Sequence, residues 1–200
     1  LFNKDLTKLL EGEKVLVPQY NFVSGEREYR DKWIELKNDD IIIIEGLHCL
    51  NEDLTMSIER RNKFKIYISP LTQLNIDNHN RIPTSDTRKL RRIVRDNKHR
   101  GYSASETLKQ WDKIRDGEER FIFPYQDDAD MVINSALIYE LGVLKTYVEP
   151  LLFSVEENDE MYPEALRLIN FLRNLLSIPS DNVPLDSVLR EFIGGSCFKD

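Results

Sequence analysis

The sequence is poor in the features that mark secreted, membrane-spanning and zinc-binding proteins. It has two cysteines in 200 residues, Cys49 and Cys197, which are too few for a disulfide framework and fit a reducing, cytoplasmic setting. No Cys/His cluster has the spacing of a zinc site. No apolar run approaches the roughly 18–20 residues that span a bilayer, and no signal-peptide pattern opens the chain. We therefore expect a cytoplasmic protein with no membrane partner.

Positive charge is outnumbered by negative charge, and a quarter of the positive charge lies in one segment. The formal net charge is −7, which argues against general binding to nucleic acid. Residues 85–100 nevertheless hold seven Arg or Lys against two Asp. That segment carries +5, so the rest of the chain carries −12.

A run of four isoleucines at residues 41–44 predicts the central strand of the fold. Such a run allows no polar alternation, so a strand there must be covered on both faces, as in a parallel sheet. The run ends at Glu45 and Gly46. Ligand crevices of open α/β sheets lie at the carboxyl ends of the strands, so Glu45 is a candidate site residue. The alternative is a carboxylate that is merely solvated.

Strands that alternate with helices predict an α/β protein with a mainly parallel sheet. The other predicted strands are 14–20, 64–69, 129–134 and 148–155. The predicted helices are 2–10, 51–61, 71–81, 85–100, 103–120, 136–145, 162–176 and 185–193.

The basic helix has a charged face and an apolar face. At about 100° per residue, Leu90, Ile93 and Val94 fall opposite the charged side chains. Arginine binds phosphate oxygens bidentately, and an Arg-rich lid stabilises phosphoryl transfer. A solvated surface and a phosphate-backbone surface for nucleic acid are the alternatives, and the surrounding negative charge disfavours the second. The charged face consists of Arg88, Arg92, Arg95 and His99.

Five short motifs follow one another along the chain. They are VPQYNF at 17–22, IIEG at 43–46, RRIVRD with RG at 91–101, QW at 110–111, and FP with ADMVI at 123–133. In this order and spacing they resemble the motifs of the uridine kinase and phosphoribulokinase family of P-loop kinases, over roughly residues 6–136. The tail at 189–198 resembles that of bacterial uridine-kinase-like proteins, in which threonyl-tRNA-synthetase-like domains precede the kinase domain.

The resemblance implies a fold and a domain organisation. The fold would be a three-layer P-loop NTPase-like α/β fold with a mainly parallel sheet, here without its first strand and phosphate loop. Residues 1–147 would form a partial nucleoside-kinase-like domain with an Arg-rich lid at about 81–102. Residues 148–200 would add a C-terminal strand and helices packed on the same domain.

The resemblance also implies an activity, the transfer of the ATP γ-phosphoryl group to a uridine- or cytidine-like hydroxyl, with ATP and Mg²⁺ as cofactors. Glu45 would lie at the Mg²⁺–nucleotide site, as a catalytic and metal-binding residue. Three lid residues, Arg92, Arg95 and Arg100, would hold the ATP phosphates, the first two with catalytic roles.

The acceptor nucleoside would lie near a loop and one helix. The residues expected there are Tyr20, Asn21, Phe22 and Gln110. His48 follows the central strand and is a further candidate for substrate binding, although a packed loop histidine is the commoner outcome.

Two departures from the family pattern affect the activity. Asn21 stands where the family has Asp, and an amide cannot serve as a base. No G-x-x-x-x-G-K-[ST] loop, which cradles phosphates, occurs in the sequence. In the family that loop, together with an acidic residue that deprotonates the acceptor, precedes the point that matches Leu1. This suggests a piece of a longer protein that does not phosphorylate a substrate by itself.

Two other functions stay open at this point. Asn21 favours a non-catalytic nucleotide-binding or regulatory module, and the basic helix favours, more weakly, an RNA-binding domain. The sequence leaves open whether the chain forms a homo-oligomer.

Overall fold

The computed structural model describes residues 1–21, 25–37 and 39–198, which fold into two units. The first unit consists of Leu1–Ile66 and Glu119–Met131, and the second of Tyr67–Glu118 and Val132–Asp200. The chain mixes helices with a small parallel sheet, so the predicted α/β class is confirmed.

The first unit begins with a helix and a hairpin. Helix α1 spans Phe2–Leu10, and the antiparallel strands β1 (Val15–Asn21) and β2 (Glu26–Ile34) follow it. The pairing is irregular next to Pro18, which has no N–H to donate to a ladder. The predicted strand at 14–20 is confirmed, whereas its charged partner β2 was not predicted as a strand.

Short 3₁₀ turns replace the helix predicted at 51–61. They span Glu52–Thr55 and Arg60–Asn62, and a third such turn spans Phe123–Asp128. The Ser57 hydroxyl donates a hydrogen bond of 2.9 Å to the side-chain oxygen of Asn3, which ties α1 to this region.

The central strand predicted at the isoleucine run is wrong. Residues 39–46 form no strand, and Ile41 and Ile43 are 87% and 90% exposed. An apolar strand of the parallel type needs hydrogen-bonded neighbours and a cover on both faces. No strand among the described residues pairs with this run, so Ile41 and Ile43 stay in solvent, whereas Ile42 is half-buried and Ile44 is 37% exposed.

The parallel sheet consists of β3 (Ile66–Ser69) and β4 (Met131–Asn134), which confirms the strands predicted at 64–69 and 129–134. The backbone N–H of Asp130 donates to the carbonyl of Lys65 at 2.9 Å. Further along, the N–H of Ser135 donates to the carbonyl of Ser69 at 2.9 Å. From the first hydrogen bond to the second, the donor and the acceptor residue numbers both increase, so the two strands run parallel.

Helices build the second unit around α2, the predicted basic helix. Its apolar face packs on α3, α5 and α7, and it ends at Gly101, whose φ of 69° is left-handed as in many helix caps. The helices are α2 (Thr84–Arg100), α3 (Ala104–Lys109), α4 (Trp111–Phe121, whose last three residues are counted in the first unit), α5 (Glu140–Phe153), α6 (Tyr162–Leu172) and α7 (Arg190–Ile193). Their fully buried side chains include Leu90, Ile93, Leu144, Leu168 and Leu172, and Leu189, directly before α7, is also fully buried.

Further segments differ from the predicted elements. The helix predicted at 185–193 is helical only over Arg190–Ile193. Residues 148–155, predicted as a strand, belong mainly to α5, whose buried Leu144, Val148 and Leu152 recur every four residues. Residues 71–81, predicted as a helix, contain none. There the Asp77 carboxylate accepts hydrogen bonds from the backbone N–H groups of His79 and Asn80, and such a turn competes with a helix.

Candidate functional site

Two arginines of α2 converge on one buried carboxylate. Nε of Arg92 lies 3.1 Å from Oδ2 of Asp96, and Nη1 of Arg100 lies 3.1 Å from Oδ1 of the same residue. Asp96 is 0% exposed. The three residues are spaced by four, which places them on one side of the helix in successive turns.

Arg95 completes what we call the arginine cluster, the set Arg92, Arg95 and Arg100. Nη1 of Arg95 lies 3.3 Å from the Glu191 carboxylate of α7. Burial lowers the pKa of Arg92, the Asp96 carboxylate opposes that effect, and the positive charges of Arg95 and Arg100 lower the pKa further. Arginine stays charged at any physiological pH, so the cluster concentrates cations that repel one another.

The side chains of the arginine cluster are partly exposed to solvent. The side chains of Arg92, Arg95 and Arg100 are 21%, 37% and 50% exposed, respectively. A dissolved anion can therefore reach their guanidinium groups, which offer fork-shaped donors that match phosphate oxygens.

Two other arginines of α2 are engaged in the fold. Arg91 is buried and donates to both carboxylate oxygens of Glu140, at 3.1 and 2.5 Å. Arg88 forms an ion pair with Glu118, and its guanidinium carbon lies 5.7 Å from the Trp111 ring centre. The charged face predicted from the sequence is thus partly engaged in ion pairs within the fold. The remaining predicted member of that face, His99, is exposed.

Gln110 lies in the same unit as the arginine cluster. It is half-buried, at the break between α3 and α4, and its backbone carbonyl accepts a hydrogen bond of 3.2 Å from Ile114. Its predicted contact with an acceptor stays a prediction.

The predicted acceptor loop belongs to the first unit. Tyr20, at the end of β1, is 59% exposed, and Phe22 lies outside the described residues. The Asn21 amide donates a hydrogen bond of 2.5 Å to the Glu28 carboxylate. That bond, with a second from Arg30, lowers the pKa of Glu28. Asn21 therefore acts here as a donor inside the hairpin, a role that an ionised Asp could not take.

Glu45 and His48 lie in the exposed segment after the isoleucine run. The strand expected to carry Glu45 is not formed, so the predicted position of Glu45 at the carboxyl end of a central strand is wrong. Its role at the Mg²⁺–nucleotide site stays a prediction. The His48 ring contacts the Phe121 ring edge-on, with 6.1 Å between the ring centres. Partial burial raises the pKa of the Cys49 thiol, and the negative charge of Glu45 adds to the effect.

Within the described residues, no three His, Cys, Asp or Glu side chains are grouped so as to hold a metal ion. Mg²⁺ at a nucleotide commonly uses one or two carboxylates, with water and the phosphates as its remaining ligands. The exposed carboxylate of Glu45 is compatible with this small number of protein ligands.

A family model described as "Phosphoribulokinase / Uridine kinase family" matches residues 1–140. The chain belongs to this family.

Curated members of the phosphoribulokinase and uridine kinase family are similar over most of the chain. The uridine kinase of Borrelia duttonii (strain Ly) is 33% identical over 156 residues, which are 74% of this chain and 67% of that protein. The uridine kinase of Staphylococcus aureus (strain Newman) is 31% identical over 134 residues, 66% of this chain and 56% of that protein. No solved structure gave a significant match. Among the described helices, none combines the length and the apolar character that a membrane span requires.

Sequence reasoning missed two carboxylates of the site. Asp96 was included in the RRIVRD motif and in the charge count of the basic segment but was assigned no role, although its spacing of four from both Arg92 and Arg100 is a usable signal. Glu191 lies 96 residues from Arg95 and beyond the family match, and no local pattern joins them.

Proposed function

We propose that this chain carries the lid and acceptor-side part of an ATP-dependent nucleoside kinase. The reaction would move the γ-phosphoryl group of ATP, with Mg²⁺, to the hydroxyl of a uridine- or cytidine-like nucleoside. The observation that carries the proposal is the arginine cluster, built on a helix inside the region that matches the kinase family. The similarity to proteins named uridine kinase supports the choice of acceptor.

Phosphate binding is the proposed role of the arginine cluster. Phosphoryl transfer spreads negative charge over the transferred group, and positioned guanidinium groups stabilise that charge. Residues 81–102 would act as a lid, since closure over the nucleotide excludes water from the reaction. Glu45 would contribute a carboxylate to the Mg²⁺ that accompanies the nucleotide.

Acceptor binding is the proposed role of Tyr20, Asn21, Phe22 and Gln110, with His48 as a further candidate. The Asn21 amide can hydrogen-bond to a sugar hydroxyl, but it cannot remove a proton from it. A three-layer P-loop NTPase-like fold, the domain division near residue 147 and a cytoplasmic location belong to the same proposal.

The 200 residues by themselves are proposed to bind polyphosphate weakly and to phosphorylate nothing. They contain no G-x-x-x-x-G-K-[ST] loop, whose backbone N–H groups and Lys hold the phosphates in P-loop enzymes. Incubation of this chain with uridine and γ-labelled ATP is expected to give no labelled nucleotide. Turnover would overturn this part of the proposal.

Calorimetric titration with tripolyphosphate and with Mg·ATP tests the phosphate role directly. Arg100→Gln is expected to weaken binding roughly tenfold, because a hydrogen bond to a charged group contributes about 1.5 kcal/mol or more. Arg173→Gln is the matched control, since Arg173 is an exposed arginine of the same unit that bonds to Asn170. Equal affinities in both variants would remove the arginine cluster from the site.

A non-catalytic nucleotide-binding module is the second candidate, and Asn21 favours it. Mg·ATP binding without turnover in the intact protein would support that function over a kinase. RNA binding that weakens steeply with salt and ignores ATP would support a nucleic-acid function instead.

A further inference from the structure

A buried carboxylate without a well-formed hydrogen bond lies beneath the arginine cluster. Both side-chain oxygens of Asp96 and the Nε of Arg92 are shielded from solvent and lack a hydrogen-bond partner of good geometry among the described residues. The charge contacts that Asp96 does make are those to Arg92 and Arg100, each at 3.1 Å.

This arrangement couples the carboxylate to the two cations. A buried charge is costly unless it is paired, so Asp96 depends on the two guanidinium groups. In return its negative charge offsets the repulsion among the three cations of the cluster. Burial is the main cause that lowers the pKa of Arg92, the positive charges of Arg95 and Arg100 lower it further, and the Asp96 carboxylate opposes these effects.

Geometry shows a second effect of Asp96. The backbone positions of Arg92 and Arg100 are separated by eight residues, roughly 12 Å along the helix axis. Their guanidinium groups nevertheless reach the two oxygens of a single carboxylate. Asp96 therefore draws together two side chains that would otherwise spread in solvent.

We infer that Asp96 is a positioning residue for polyphosphate binding. It holds Arg92 and Arg100 close enough to engage one polyphosphate chain, and it does not touch the anion, because its oxygens are shielded. This inference rests on the proposed function, in which the arginine cluster binds the phosphates of a nucleotide.

If the Asp96 charge is removed, positioning and simple electrostatics predict opposite changes in the affinity for an anion. Removing a negative charge near a cation cluster should strengthen anion binding through Coulomb attraction. Loss of positioning should weaken it. The neutral and nearly isosteric Asp96→Asn separates the two effects by the sign of the change.

The experiment is a calorimetric titration of the 200-residue chain with tripolyphosphate, supported by NMR of the arginine Nε–Hε groups. Asp96→Asn is expected to bind roughly fivefold more weakly than the wild type, as for a contact coupling of about 1 kcal/mol. The same substitution in an Arg92→Gln, Arg100→Gln background is expected to change nothing, since Asp96 acts through those side chains. Asp112→Asn, at an exposed position of α4, controls for the loss of one charge.

The possible outcomes distinguish the phosphate role of the arginine cluster from the positioning role of Asp96. No tripolyphosphate binding by the wild type would refute the phosphate role of the cluster, and with it the proposed function. Wild-type binding that is unchanged or tightened in Asp96→Asn would overturn the positioning role alone. An equal loss of affinity when Asp96→Asn is made in the Arg92→Gln, Arg100→Gln background would show that the Asp96 carboxylate is merely structural.

A variant that fails to fold still leaves a decisive measurement on the wild type. The Nε–Hε proton of Arg92 is expected to exchange slowly with water and to stay protected when tripolyphosphate is added. Fast exchange of that proton with water once the anion binds would show that the Asp96 contact is broken in the complex, and would overturn the inference.

Discussion

At the scale of single residues, the second unit depends on charge pairs that are taken out of water. The Glu140 side chain is 1% exposed and its carboxylate accepts two hydrogen bonds from Arg91 and one from the backbone N–H of Leu137. Arg91 also donates to the carbonyl of Ser135. The pair joins α2 to the start of α5, next to the end of β4.

Removing one member of this pair should be strongly destabilising. Arg91→Met keeps much of the side-chain length but leaves the Glu140 carboxylate buried and unpaired, a loss of about 3–5 kcal/mol in the free energy of unfolding. Urea denaturation followed through the fluorescence of the buried Trp111 measures it. The double variant Arg91→Met, Glu140→Leu should recover most of the loss. A change below about 1 kcal/mol for Arg91→Met would contradict the assignment.

A second ion-pair network should make the stability of this unit depend on pH. Hydrogen bonds from Arg167 and from Lys89 lower the pKa of Glu164 to about 2, although partial burial opposes them. Because this folded-state pKa lies below the unfolded value, the stabilisation is complete above about pH 4.5 and is lost as the pH falls towards 2.

Glu164→Gln should therefore lower the melting temperature at pH 7 and flatten its decline between pH 4.5 and 2. We expect a loss near 1 kcal/mol, kept small because solvent screens a partly exposed pair. Thermal unfolding at several pH values checks it, with Glu157→Gln, at an exposed position, as the control. An unchanged slope in that acid range would show that Glu164 is not the titrating group.

How far the sequence predicts the site depends on the distance between partners along the chain. The arginines of α2 and their helical spacing could be read directly, because neighbours on a helix are fixed by its period. Glu140 and Glu191, which engage Arg91 and Arg95, come from other helices. Such pairings follow from tertiary packing, so local pattern could not show which arginines stay open to an anion.

At the scale of elements, the short helix α7 closes over the charged part of α2. Arg190 fixes the tail by donating to the backbone carbonyls of Ser180 and Val183, at 3.1 and 2.5 Å. The Phe192 ring lies 5.2 Å from the guanidinium carbon of Arg91. This docking brings the Glu191 carboxylate to Arg95, where it occupies a donor that the proposed function assigns to phosphate.

Glu191→Gln should therefore strengthen polyphosphate binding. An exposed ion pair contributes about 0.2–1 kcal/mol, so the tripolyphosphate affinity is expected to rise by a factor of roughly two to five. Calorimetric titration against wild type measures the change. Glu157→Gln removes an equal charge elsewhere and should have little effect. A weaker affinity for Glu191→Gln would mean that the carboxylate orients Arg95 rather than competes for it.

Elements with a long regular pattern were predictable, and segments decided by a local contact were not. The basic helix was predicted from its apolar period and from Gly101 as its stop, and both are confirmed. The α5 helix continues past Pro150, where the sequence suggested a strand, because the buried Val148 and Leu152 still follow a helical period. At 71–81 the Asp77 turn overrides an ambiguous helical pattern.

At the scale of the whole chain, the run of four isoleucines, which would be expected in a core, is largely exposed. Ile41 and Ile43 are almost fully exposed, and Leu47 is 76% exposed. The residues that precede and follow the isoleucines, Asp40 and Glu45, are acidic and oppose association. A short β-branched run without Pro or Gly is still the kind of segment that pairs with a copy of itself.

The 200-residue chain should therefore self-associate through this run. Replacing Ile41 and Ile43 by Lys is expected to suppress concentration-dependent light scattering at neutral pH, because two like charges on each copy disfavour strand pairing.

A matched control replaces Leu176 and Leu185 by Lys. These two leucines are 87% and 59% exposed in the second unit. That control adds the same charge and removes similar apolar surface, and it should leave the scattering largely unchanged. If both double variants stay equally monomeric, net charge governs association rather than the isoleucine run. If neither differs from wild type, the exposed isoleucines do not form an adhesive surface.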